Sequence, residues 1–287
     1  MIWLVTATGP ADAQDKVRVV ATFSILDDFA KNVGGEAVKV ASLVGPNGDA
    51  HAYSPAPADA KSLAEADLIL VNGLGFEGWI DRLVQASGTK AVVVTASKGV
   101  KPRRMEAEDE HGKIDPHAWQ SVANAKIYVG NIRDALLTAD PSRKATYEAN
   151  AATYLAKLDA LEKEIKATIA AIPASRRKII TAHDAFGYFG AAYGVQFIAP
   201  QGVSTEAEVS ARDVARIIRQ IKSQSIPAVF MENVTDPRLM KRIADESGAK
   251  IGGKLYSDAL SGPEGPAATY IDMMRNNLKE FRAALAS

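Results

Sequence analysis

The sequence predicts an α/β protein of two lobes, each built on a four-stranded, mainly parallel sheet, joined by one long rigid backbone helix. Three observations carry that prediction. Eight short runs rich in Val, Ile and Leu recur along the 287 residues, four before residue 100 and four after residue 175. Helix-like segments separate them, the alternation that gives parallel strands with helical crossovers. Between the two groups lies one uninterrupted helical pattern.

Taken in order, residues 1–14 ("MIWLVTATGPADAQ") combine an apolar start with an Ala-Asp-Ala step of signal-peptidase type, and are expected to be a residual export-signal-like segment. The first lobe is expected over 15–139, with strands in "VRVVATF" (17–23), "VKVASLV" (38–44), "DLILVNG" (67–73) and "AVVVTA" (91–96). Most of these runs are nearly continuous in branched aliphatics, as strands buried on both faces must be. The linking helix is expected over 140–173. Asp140 suits its N-cap, and Pro141 its first position, where a missing N–H costs nothing. Tyr147, Ala151, Tyr154, Leu158, Leu161, Ile165 and Ile169 follow at three- and four-residue steps, giving one apolar stripe that Pro173 ends. Such a rod is roughly 45 Å long and should hold the lobes at a nearly fixed angle. The second lobe is expected over 174–287, with strands in "KIITAH" (178–183), "VQFIAPQ" (195–201), "AVFMEN" (228–233) and "KIGGKLY" (250–256).

Composition narrows the function. Lys plus Arg and Asp plus Glu both total 34, a formal net charge of zero, where a nucleic-acid or acidic-membrane surface calls for a basic excess. No run approaches the ~20 apolar residues of a membrane span. Cysteine is absent, so neither disulfides, a thiolate metal site nor a lipid-modified anchor cysteine is expected. An exported form is therefore expected free in the periplasm.

The polar chemistry collects where open parallel sheets bind ligands, beyond the carboxyl ends of the strands. His51 lies in the loop after the second run, His117 past the fourth and His183 at the end of the fifth; these are three of only four histidines. Converging on one interlobe cleft, three neutral imidazoles and a carboxylate suit a transition-metal ion such as zinc. Glu232 and Asp258 both end or follow strands at the right edge, and position alone does not choose between them. Asp184 is expected to cap the helix after His183, Asp115 and Pro116 to start a helix as Asp140 and Pro141 do, and Glu206 and Glu208 to serve the first turn of the next helix. Phe186, Tyr188, Phe189 and Tyr193, at helical spacing, read as core beside the cleft, and Trp79 and Trp119 as packing residues. "GLGFEG" lacks the glycine spacing of a dinucleotide loop.

The segments "NGDAHAYSPAPADAKSLAEADLILVNG", "DPHAWQSVANA", "TAHDAFGYFGAAYGV", "QGVSTEAEVSARDV" and "YSDALSGPEGPAATYIDMM" resemble the zinc/manganese solute-binding proteins of ABC transporters, the cluster A-I family, over about residues 16–286. The resemblance implies one transition-metal ion between two β/α lobes, with His51, His117 and His183 as nitrogen ligands and Asp258 as the oxygen ligand. Manganese-preferring members commonly carry glutamate where this chain has His183, so the resulting N3O set favours Zn(II), with Mn(II) possible through a bidentate aspartate. "EAEDEHG" resembles a reduced form of the metal-collecting loop of zinc-type members, with His111 its single histidine. Implied partners are an ABC permease membrane subunit and a periplasmic metal donor, for a monomer. Four protein ligands close the coordination sphere, which suits carriage and not catalysis. Because imidazole must be neutral to ligate, affinity is expected to fall as pH drops through roughly 6. With the lobes fixed by the rod, release is expected through local motion of the Asp258 loop or of the second lobe around it.

Overall fold

A computed structural model of the chain describes residues 15–105, 112–206 and 208–285. The first sheet comprises β1 (Val17–Phe23), β2 (Val38–Val44), β3 (Leu68–Val71) and β4 (Val92–Thr95) in the order β2-β1-β3-β4. Every neighbouring pair is parallel, with Val19 of β1 opposite Val40 on one side and Leu68 on the other. Helices α1 (Ser24–Gly34), α2 (Pro57–Glu65) and α3 (Ile80–Ser87) make the crossovers. All four residues of β3 are buried, as its unbroken aliphatic run requires, whereas the edge strand β4 leaves Val92 and Val93 exposed.

The second sheet repeats the plan. Its strands β5 (Lys178–Ile180), β6 (Gln196–Ile198), β7 (Ala228–Glu232) and β8 (Lys250–Leu255) lie in the order β6-β5-β7-β8, again parallel throughout. The crossovers are α6 (Gly187–Tyr193), α7 (Ala211–Gln224) and α8 (Pro237–Ser247). Strand β5 stops short of the run "KIITAH" for a physical reason. The amides of Ala182 and His183 donate to a carboxylate, that of Glu232, at 2.7 and 3.0 Å, and not to a neighbouring strand.

Helix α4 (Val122–Ala139) closes the first lobe, and α5 (Lys144–Ala170) is the rod. All seven residues of the expected stripe are buried. The helical run starts at Asp140 and Pro141 as expected, but its first turn is not α-helical. Pro141–Arg143 form a 3-10 turn before α5, and the Asp140 carboxylate gathers the side chains of Ser142, Arg143 and Tyr147. At 27 residues the α-helical part is about 40 Å long. Helix α9 (Tyr270–Leu285) packs against α5, α1 and β8. One hydrophobic core runs from the first sheet through α1, α4, α5 and α9 to the near face of the second sheet, at Ile179, Phe230 and Leu255. The far face of that sheet has its own smaller core, where Ile180 and Val229 meet Val214, Ile217 and Ile221 of α7 and Met240 and Ile243 of α8. Among the described residues, no helix is long and apolar enough to cross a membrane.

Two expected helix starts are corrected. Ser210 caps α7, accepting from the Asp213 amide, and Asp213 supplies the first-turn acid in place of Glu206 and Glu208. Phe186, not Asp184, occupies the N-cap of α6.

Candidate metal centre

Each carboxyl edge delivers its side chains to one point between the lobes. In the first lobe, the loop after β2 turns at Asn47, which takes a left-handed backbone (φ 56°) that asparagine tolerates better than most residues. Asp49 then holds the next stretch, its Oδ1 accepting from the amides of His51 (2.9 Å) and Ala52 (3.4 Å). The segment after β4 is anchored by Asn72 at the end of β3, whose amide donates to the Pro116 carbonyl at 2.9 Å while its Oδ1 accepts from Tyr128. Asp115 is not the cap of α4. Its Oδ1 accepts from the His117 amide at 3.0 Å and lies 2.9 Å from His117 Nδ1. Arg103 braces the other oxygen at 3.2 Å, and a Cβ at Gly187 would collide with both partners, so only glycine lets α6 approach so closely.

In the second lobe, His183 follows β5 and Glu232 ends β7. Glu232 Oε2 sits 2.7 Å from His183 Nδ1. Asp258 follows β8, beside Ser257, whose carbonyl accepts from Trp119 Nε1 (2.9 Å) and Gln120 Nε2 (2.8 Å) of the first lobe.

The result is a tight cluster. His51 Nε2 is 3.1 Å from His117 Nε2 and 3.4 Å from Asp258 Oδ2; His183 Nε2 is 3.0 Å from Asp258 Oδ2, and His117 Nε2 is 3.5 Å from Asp258 Oδ1. One donor atom from each of the four residues lies within 4.8 Å of the others. A tetrahedron with ~2.0–2.1 Å bonds has edges of about 3.3 Å, so this spacing fits a small divalent cation. His117, His183 and Asp258 are fully buried, and only the His51 side chain, 6% exposed, reaches toward solvent. Asp258 Oδ1 is buried with no hydrogen bond among the described residues, which suits a cation acceptor. A carboxylate beside Nδ1 of His117 and of His183 favours N–H at that atom, which leaves Nε2 of a neutral ring free to ligate toward the cluster. Phe76 and Trp119 meet the His117 ring edge-on, and Phe76 also meets His51. These rings, not the buried aromatics of α6, form the apolar wall of the cluster.

Electrostatics separates the four groups. Burial lowers the basicity of His117, but facing Asp258 and Asp115 outweigh it and push the pKa up to about 9. His183 is likewise driven well above the ordinary histidine value, burial being overcome by Glu232 and Asp258. His51 moves the other way: burial lowers it, and the positive rings of His117 and His183 oppose what Asp258 restores. Burial would raise Asp258, yet His183 and His117 hold it well below the usual carboxylate range. Both raised rings favour their protonated form in the metal-free cluster, so an entering cation is expected to displace protons.

All four residues singled out from the sequence meet here. Glu232, which position alone left level with Asp258, gives Oε1 to two amides, and its Oε2 lies 2.7 Å from His183 Nδ1. Sequence reasoning missed the roles of Asp115, Glu232 and Asp49; the one local signal was an aspartate two residues before a histidine, a spacing at which a side chain reaches its own backbone. His111 and the acidic loop 106–111 lie outside the described residues.

Comparison with known proteins agrees with this architecture. The family profile described as "Zinc-uptake complex component A periplasmic" matches residues 19–284. The chain is 36% identical over 266 residues to the iron-binding protein YfeA of Yersinia pestis, covering 92% of this chain and 85% of that one. It is 34% identical over 284 residues to the manganese ABC transporter substrate-binding lipoprotein PsaA of Streptococcus pneumoniae, covering 97% and 92%. Among solved structures, the periplasmic zinc binding protein TroA from Treponema pallidum superposes with a TM-score of 0.89 at 32% identity, over 95% of this chain and all of that one. A Mn-bound periplasmic metal binding protein from Candidatus Liberibacter asiaticus gives a TM-score of 0.84 at 32% identity, over 94% of this chain and all of that one.

Proposed function

The chain belongs to the family of the periplasmic component A of zinc-uptake complexes, metal-binding substrate-binding proteins of ABC transporters and not enzymes; from that premise we propose that it carries Zn(II). In this reading one zinc ion is bound by the Nε2 atoms of His51, His117 and His183 and by Asp258, then delivered to the membrane subunit of an ABC permease. The protein acts in the periplasm as a monomer that a metal donor can load. Residues 15–139 and 174–287 serve as the two jaws and 140–173 as their fixed frame.

The observation that carries the zinc reading is the donor set. Three imidazoles and one carboxylate at near-tetrahedral spacing form a borderline-soft site, which matches zinc better than the oxygen-rich octahedral sphere of manganese. Manganese is the alternative, favoured by relatives named for that metal. Titration of chelator-stripped protein with Zn(II) and Mn(II), read by calorimetry and metal content, separates them. One tightly held zinc per chain that manganese does not displace is expected. Manganese binding as tight as zinc would overturn the preference, and uptake of neither would overturn metal carriage.

A further inference from the structure

The three histidines are not held alike. His117 and His183 each have a carboxylate on Nδ1 and no exposed ring edge. His51 is fixed through its backbone instead, by the amide bonds of Asp49 Oδ1. The second oxygen of Asp49 faces the other lobe and accepts from Thr205 Oγ1 at 2.5 Å. Thr205 belongs to the loop after β6, where its carbonyl accepts from Gln201 Nε2. Gln201 in turn forms a parallel bridge with His183. A chain of contacts thus runs from His183 through Gln201 and Thr205 across the mouth of the cleft to Asp49 and the backbone of His51.

From these contacts we propose that Asp49 is a positioning residue for the metal cargo. Its carboxylate fixes His51 in ligating position only while Thr205 of the opposite lobe is docked on it. The Asp49–Thr205 hydrogen bond is then the point where the cleft yields, and His51, the one ligand of the four with any exposed side chain, leaves the ion first. Asp258 is a poor candidate for that step. It is fully buried, and its neighbour Ser257 is tied to Trp119 and Gln120. The two other hydrogen bonds from the Asn47 loop, Asn47 N to Leu260 O at 2.8 Å and Asn233 Nδ2 to Asn47 Oδ1 at 3.3 Å, close the mouth without touching a ligand residue. Among the described residues, Asp49 is the hydrogen-bond partner of the His51 backbone that also reaches the opposite lobe.

This inference rests on the metal-carrying reading, and its test separates the two. Zn(II) dissociation into excess chelator is followed by stopped flow for the wild type, Thr205→Val, Thr205→Ser and Asp49→Ala, together with the melting temperature of each metal-free protein. Loss of one hydrogen bond to a carboxylate should speed dissociation about tenfold or more in Thr205→Val. Thr205→Ser should restore the wild-type rate, and metal-free melting should fall by no more than the loss of one hydrogen bond accounts for. In a His51→Ala background, Thr205→Val should add nothing, since the coupling passes through that ring. An unchanged rate in Thr205→Val, a serine variant as fast as the valine one, or a full effect without His51 would each overturn the inference alone. Wild-type protein that binds no zinc would overturn the underlying reading and this inference with it.

Discussion

The two lobes use one device for two ends. In the first, buried Glu77 stitches β1 to β3: Oε1 accepts from Thr22 Oγ1 and the Asn72 amide at 2.5 and 2.6 Å, and Oε2 from the Gly73 amide at 3.3 Å. In the second, buried Glu232 stands at the end of β7 and stitches it to the chain leaving β5, through the amides of Ala182 and His183. Both glutamates satisfy backbone donors at the carboxyl edge between the two central strands, where ladder hydrogen bonds run out. Only in the second lobe does a histidine follow the first strand, so only there does the second oxygen turn onto an imidazole. A structural brace becomes an orienting group by the placing of one side chain.

If that comparison holds, the largest contrast lies between the two glutamates. Glu232→Gln should weaken Zn(II) binding about 10–100-fold, the usual cost of losing a carboxylate behind a metal-bound histidine. Glu77→Gln should lower thermal stability and leave affinity unchanged. Equal losses of affinity in both variants, read by competition with a chelating dye, would break the analogy.

Next in size is the effect of pH. With His117 protonated up to about 9 and His183 also raised, affinity should begin to fall below about pH 9, earlier than the value near 6 expected for unperturbed imidazole. Near pH 7 about two protons should leave per zinc bound, measurable as a buffer-dependent enthalpy. The sign for the metal-free fold is opposite. A histidine raised from 6.5 to about 9 contributes stability that is full below about pH 6.5 and lost as pH rises through about 9. Metal-free melting should therefore drop over that window, while metal-loaded protein should not.

The smallest contrast is in the cores. The α7/α8 layer rests on the small separate core, whereas α5 lies in the continuous one. Ile217→Val should cost about 1 kcal/mol and speed amide exchange in α7 and α8 before α5. Uniform exchange across all three helices would show that the layers unfold as one.

Much of this architecture was legible from spacing. Strands buried on both faces need unbroken aliphatic runs, and a helix against two lobes needs a stripe, so β3 and α5 announce themselves. The three histidines were found because parallel sheets send their ligands to one edge. The carboxylate was not found that way. Asp258 and Glu232 occupy equivalent edges, and within the sequence only the resemblance to a known family distinguishes them. The caps of α6 and α7 were misread because several acids compete for each helix end, and packing decides among them.

What the sequence determined by itself is local: chain direction, strand and helix identity, and the edge from which each histidine departs, all fixed by the periodicity of a few neighbouring residues. What the tertiary structure decided is pairing. Glu232 lies 49 residues from His183 and Thr205 lies 156 from Asp49. No local pattern selects one carboxylate among 34 acids. That choice is made only when two separately folded edges come within hydrogen-bond reach, where direction and distance, and not residue type, assign each oxygen its partner.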